Sequence, residues 1–300
     1  MSGKGGYGMK RFSMTKSLIQ FVLFLFALAI LIPLLNILAM SLSEPSRVNE
    51  LSGLGVIPKG FSLINYEIIL SNPLIVRSLL NSLFITIVGT IINLFLTALT
   101  AYVLARTEFV GKKIVLFVLI GIMVFEPSMI TEYVLMKDIG LLNSYAAVIL
   151  YKAINVYYLF ILMRFFQEIP DSIIEAARID GAGHFRIFTK IVLPLSKPAL
   201  ATMALFYGVY HWNEYFRATI YITDPNKWPL QVVLRQFVVS QDNQTMLQGV
   251  EGMTPELLAS LDFGSIQSAT IIVAIIPMLL LYPLILKYFT KGTMDGGVKE

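Results

Sequence analysis

Four ionisable side chains stand where an apolar chain least tolerates them: Glu126, Lys152, His211 and Glu214 each fall inside a long hydrophobic stretch. In lipid such a group costs about 2.5 to 3.5 kcal/mol on insertion scales, so it faces a bundle interior or a water-filled path. Asn93, Tyr151, Asn155 and Asn213 lie at comparable depth and extend the set into a polar belt with hydrogen-bonding groups. Glu126 and Lys152 admit two readings: an internal ion pair that neutralises both, or two contacts to a passing substrate. Trp212, followed by Asn213 and Glu214, has the chemistry of a sugar contact, since an aromatic face stacks on a sugar ring while carboxylates and amides take its hydroxyls. The plainer alternative for Trp212 is an aromatic anchor at the membrane interface. Pro127 and Gly208 are expected to loosen their helices beside Glu126 and His211, as a cavity wall requires.

Other chemistry is poorly supplied. With no cysteine there is no disulfide, thiol nucleophile, iron–sulfur cluster or cysteine-bound zinc, and two histidines, His184 and His211, are too few for a histidine cage. No GxxxxGKS/T loop occurs, so ATP is not bound by that device, and no HExxH or GxSxG signature appears. The expectation is no catalytic residue, no metal site and no cofactor held by this chain.

The elements that must carry the polar belt are membrane helices. Hydrophobic residues make up 56% of the 300, charged ones only 14%, and mean hydropathy is +0.74. That balance excludes a soluble domain. The small excess of basic over acidic residues is not clustered as a nucleic-acid surface requires, so no nucleic-acid partner is expected. At roughly 20 apolar residues per crossing, about six spans are expected, near 17–40, 79–105, 114–135, 144–163, 199–222 and 265–289. The fold class is therefore an all-α integral membrane protein with about six transmembrane helices. The first apolar run is too long for a cleaved signal and reads as a retained helix.

With the N-terminus cytoplasmic, Lys and Arg divide about 15 to 7 in favour of the cytoplasmic side. Both termini are then expected there, with tails at 1–16 and 291–300 flanking a membrane domain, 17–290. Long outer segments fall at 41–78 and 223–264. The second is acidic (Asp224, Asp242, Glu251, Glu256, Asp262) and carries Pro225, Pro229 and Pro255, so exposed chain with short helices is expected there.

Between the fourth and fifth spans, residues 165–198 are too polar to cross lipid yet rich in helix formers. Two short helices around a glycine turn are expected. Ser172 and Glu175 have capping-box spacing, Gly181 and Gly183 suit a left-handed helix end, and Pro194 and Pro198 limit the second helix.

At these residues the chain resembles a family. Glu175-Ala176-Ala177, Asp180-Gly181-Ala182, Ile191, Leu193-Pro194 and Pro198 are similar to the EAA loop of importer permeases of the ATP-binding-cassette superfamily. Pro58 to Leu63 ahead of Asn65-Tyr66, together with Trp212-Asn213-Glu214, resemble the carbohydrate-uptake permeases of the maltose-transporter type. Tyr282-Pro283, Lys287-Tyr288-Phe289 and Lys291-Gly292 are similar to a subgroup for uronate-containing or plant-derived oligosaccharides.

The resemblance implies that 165–198 is a coupling helix loop docked on a cytoplasmic ATPase, with Glu175 facing a basic residue and Gly181 making the turn. It also implies a second related permease, two ATPase subunits carrying ATP and Mg, an extracytoplasmic sugar-binding protein and an oligosaccharide substrate, in the bacterial cytoplasmic membrane. A proton-coupled secondary transporter working through Glu126, Lys152 and His211 is the rival, and it leaves the EAA spacing unexplained. A membrane enzyme is a second rival, without a reactive cluster to support it.

Overall fold

The computed structural model describes residues 14–51, 53–240 and 261–295. Most of the two expected tails' outermost residues lie outside that set, as do Asp242, Glu251, Pro255 and Glu256 of the acidic segment. Within the described residues the protein is helical, with one isolated bridge, Ser43 to Phe61, and no strand.

Three expected spans form as continuous helices. They are α1 (Met14–Ser41), α3 (Pro73–Arg106) and α13 (Phe263–Asp295), all apolar along most of their length. Helix α2 (Ile64–Ser71) precedes α3. The start of α3 is set by Asn72, whose side chain accepts from the Leu74 and Ile75 N–H groups, and by Pro73 at a position that needs no N–H.

The other three expected spans are broken, which corrects the straight helices read from hydropathy at 114–135, 144–163 and 199–222. The first becomes α4 (Lys112–Val124) and α5 (Met129–Asp138), bent by 118°. The link holds Pro127, which supplies no N–H, and Ser128, which caps α5 by accepting from Thr131 N–H. The second becomes α6 (Tyr145–Leu150) and α7 (Val156–Gln167), with Asn155 capping α7. The third becomes α10 (Lys197–Trp212) and α11 (Phe216–Tyr221). Gly208 does not loosen α10, which runs through it unbroken; the helix stops only after Trp212. Hydropathy sums over a window, so it records a crossing but not a break inside it.

The polar loop forms α8 (Asp171–Ile179) and α9 (His184–Leu195), the latter π-helical over Phe188–Val192 and bent by 84° from α10 at Ser196. A last short helix, α12 (Leu230–Val238), follows the turn at Pro225–Lys227.

By compactness the chain divides into two units, residues 1–69 with 252–272 and residues 70–251 with 273–300. In the first, the buried Asn65 amide donates to the carbonyls of Ser41 and Ser43 at the end of α1 and accepts from Ser265 Oγ. Gly60 turns there with φ +63, and a Cβ on it would meet Glu44 Oε2 at 2.9 Å. The stretch that precedes Asn65-Tyr66 therefore pins the outer chain back onto α1. In the second unit α3 is the central rod, packed chiefly on α7 and α10.

Candidate functional site

Two sets of residues singled out by the sequence are built in different ways. The first is the hairpin of α8 and α9. Ile174 buries itself in a core made by Ala98, Tyr102, Leu162 and Phe166, and Ile187, Phe188 and Val192 of α9 enter the same core. The helix ends in paired hydrogen bonds: Gly181 N–H donates to the Arg178 carbonyl and Ala182 N–H to that of Ala177. That double closure requires a left-handed residue, and Gly181 has φ +79. Gly183 does not share this role, since its φ is −71 and it precedes α9 instead. Nor is the start a capping box. Pro170 occupies the cap position and no side chain caps the helix, so Ser172 and Glu175 both remain exposed.

What the hairpin presents outward is mixed. Glu175, Ala176 and Asp180 are exposed, Ala177, Ala182, Ile191 and Leu193 half-buried, and Pro194 and Pro198 exposed. Ile179 and Phe185 stand 86% and 71% exposed, an apolar surface at the turn. Sequence reasoning missed what holds this hairpin from below. Arg106, the last residue of α3, is buried but for its edge. Its guanidinium donates to the Phe166 and Ile169 carbonyls and to Asp171 Oδ1. Tyr102, one turn earlier, meets His184 Nδ1 at 3.3 Å. A basic residue closing a long span was the available signal.

The second set gathers at the helix breaks. Lys152 Nζ donates to Glu126 Oε1 at 2.7 Å, joining the α6–α7 break to the α4–α5 link. Tyr151 Oη donates to Glu132 Oε1 at 2.6 Å and accepts from Arg217 Nη2 at 2.8 Å. The guanidinium of Arg217 also lies 3.8 Å from the centre of the Tyr151 ring and binds Glu214 Oε2 at 3.1 Å. Three breaks are thus tied by charge. Glu132 and Arg217 were not expected in this network. Asn155 is occupied by structure: its side chain caps α7 and its N–H donates to Tyr207 Oη.

Several expected belt residues are turned to packing. Trp212 is buried, and its indole N–H donates to the Ala274 carbonyl at 3.1 Å, so the sugar-stacking face expected of it is covered by the chain's own helices. The same helical turn buries His211 against α3. There its Nε2 lies 3.0 Å from Asn93 Nδ2, and Gly89 makes room for the ring. Glu214 is buried and engaged by Arg217, whereas Asn213 is exposed and bonded to its own helix at the Val209 carbonyl. Of the residues expected along a substrate path, Glu126 and Asn213 are exposed and Lys152 is half-buried.

A hairpin projecting from a packed core, beside membrane helices broken at polar links, is an arrangement shared with known proteins. Residues 10–294 match the family of binding-protein-dependent transport system inner membrane components. The chain belongs to that family. Among its relatives, the polygalacturonan/rhamnogalacturonan transport system permease protein YtcP of Bacillus subtilis is 42% identical over 94% of this chain and 97% of its own length. Protein LplC of the same organism is 41% identical, over 90% and 89%. A solved bacterial ABC transporter involved in import of the acidic polysaccharide alginate has a chain that superposes with TM-score 0.83 at 30% identity. That match covers 95% of this chain and 100% of the other. The protein is accordingly an ABC-type permease component of the inner membrane. Such relatives are transport permeases rather than enzymes, and nothing in them supports a proton-coupled mechanism.

Proposed function

We propose that this chain is one of two permease subunits of an ATP-driven importer for uronate-containing oligosaccharides. The observation that carries the coupling half of this reading is the α8–α9 hairpin. Its inner residues are fixed in the core of α3 and α7, while Glu175, Ile179 and Phe185 are left outward for a partner. A cytoplasmic ATPase with an apolar groove and a basic residue fits that surface. The chain binds no nucleotide itself; ATP and Mg belong to two ATPase subunits. A second, related permease completes the path, and an extracytoplasmic sugar-binding protein delivers the sugar.

The excess of Lys and Arg supports an orientation with both termini and the 165–198 loop on the cytoplasmic side, and segments 41–78 and 223–264 outside. Residues 17–290 form the membrane domain in this reading. Support for the substrate class comes from two of the similar proteins, named for polygalacturonan/rhamnogalacturonan and for the acidic polysaccharide alginate, both of which contain sugar carboxylates.

The test is reconstitution of the chain with its partner permease, ATPase and binding protein in proteoliposomes. ATP-dependent, binding-protein-dependent uptake of trigalacturonate is expected. Glu175→Lys should leave each subunit inserted but cut uptake at least about tenfold, since a lost charge-assisted contact at an interface is worth about 1.5 to 3 kcal/mol. Uptake driven by a proton gradient without the ATPase, or normal uptake by Glu175→Lys, refutes the proposal.

A further inference from the structure

Lys152 occupies the break between α6 and α7 with φ +49, a left-handed angle that residues with side chains rarely adopt. A glycine or asparagine would relieve the strain there, yet the position holds a lysine. Its ammonium reaches across to Glu126 on the link between α4 and α5. Beside the pair lies a half-open cavity of about 200 Å³, with Ile122 and Met123 on one wall and Asn155 and Tyr157 on the other. Helix α4 fully buries none of its residues in the chain, so this wall faces outward from the described residues.

We propose that this pocket receives one uronate residue of the oligosaccharide, and that Glu126 is its internal stand-in. The Glu126 carboxylate holds the Lys152 ammonium between substrates, and the sugar carboxylate replaces it during passage. This inference rests on the uronate reading above and gives it a place in the chain. An ammonium left alone at membrane depth is costly, so exchange of one carboxylate for another keeps the site neutral at each stage. The pair is accessible to such exchange, the Glu126 side chain being 66% exposed and that of Lys152 34%.

The surroundings suit the exchange. Glu126 sits on a non-helical link, so its carboxylate swings aside without unwinding α4 or α5. Pockets for drug-sized ligands enclose about 300 to 1,000 Å³; the smaller volume here fits one sugar ring of a chain rather than a whole oligosaccharide. Tyr157, 57% exposed on the wall, offers a ring to the apolar face of that sugar. Asn155 accepts no bond from the sugar through its side-chain oxygen, which already caps the start of α7. A neutral sugar lacks the group that displaces Glu126. The pocket therefore selects by charge.

The experiment uses the complete transporter in proteoliposomes, with trigalacturonate as probe and assembly followed by size exclusion. Lys152→Met with Glu126→Gln removes both charges together, so no lone ion is left to disturb folding. The double variant should assemble and take up trigalacturonate with KM raised about ten- to hundredfold, the worth of a charged hydrogen bond. Glu126→Gln alone should keep KM equal to or below that of the wild type. Either a double variant with normal KM, or two single variants that each fail to assemble while the double one regains full uptake, shows a purely structural pair and overturns the inference. A wild-type complex that transports no uronate chain at all refutes the substrate class itself, and this inference falls with it; an active wild type beside an unaffected double variant refutes the inference alone.

Discussion

The α8–α9 hairpin and the helix breaks secure their residues by different means. In the hairpin a left-handed glycine closes α8, buried aliphatic side chains seat it on α3 and α7, and Arg106 grips the backbone beneath it. At the breaks, side chain holds side chain, Lys152 to Glu126 and Arg217 to both Tyr151 and Glu214. The hairpin is thus a contiguous device that leaves its outward groups free. The breaks form a dispersed one, whose members spend most of their bonding capacity on one another. A surface fixed from behind keeps its outward groups for other contacts, whereas side chains bonded to one another can exchange partners.

The largest effect on this contrast is expected at Arg106. Arg106→Met removes donors to two carbonyls and one carboxylate beneath the hairpin. At about 1.5 to 3 kcal/mol for each hydrogen bond to a charged group, the loss should be about 3 kcal/mol or more. Thermal denaturation of the purified complex in detergent checks it, and a midpoint no lower than that of a surface variant would mean the hairpin is not anchored there.

Gly89→Ala strikes the region of the breaks instead. A Cβ at that position would lie 2.6 Å from His211 Nε2, and the ring has Asn93 as its partner. Overpacking of about 1 to 3 kcal/mol is expected. Adding His211→Ala should recover part of that loss, and a double variant no more stable than Gly89→Ala would place the strain elsewhere.

At Gly181 the penalty is conformational alone, because no atom lies within 4 Å of an added Cβ. Gly181→Val should cost about 1 to 2 kcal/mol locally and depress uptake strongly while the complex still assembles. Gly181→Asn, which tolerates the left-handed region, should be milder in the same uptake assay. Equal defects in the two would point to a steric role at the partner surface.

The smallest effect belongs to Ser172→Ala. Its hydroxyl caps nothing in the structure, so the change should stay within about 0.5 kcal/mol in the same denaturation measurement. A loss near 1 kcal/mol, typical of a removed cap, would restore the capping box to the hairpin.

What the sequence made legible follows the same division. The hairpin, its glycine turn and its outward Glu175 were readable because a short run of residues encodes them locally. The three uninterrupted helices were readable because apolar length alone specifies them. The breaks were only half readable. Glu126, Lys152 and Glu214 were conspicuous as charges in apolar stretches, and the pairing of the first two is one of two readings; the links from Tyr151 to Glu132 and to Arg217, in other segments, are made only by the fold. Trp212 misled for a related reason: an aromatic next to an amide and a carboxylate looks like a sugar contact, but the direction of its ring depends on the neighbouring α13, which no local pattern records.

Helix α3 has 34 residues, so at 1.5 Å per residue it is about 51 Å long, well beyond a hydrocarbon core of about 30 Å. Asn81, near one end, donates to the Asn226 and Trp228 carbonyls, while Arg106 grips the hairpin at the other. Such a rod does not shorten under load; it pivots. A tilt of about 5° imposed at the Arg106 end displaces the opposite end by about 4 Å. The hairpin and the turn at Pro225–Lys227 are therefore joined by one unbroken lever.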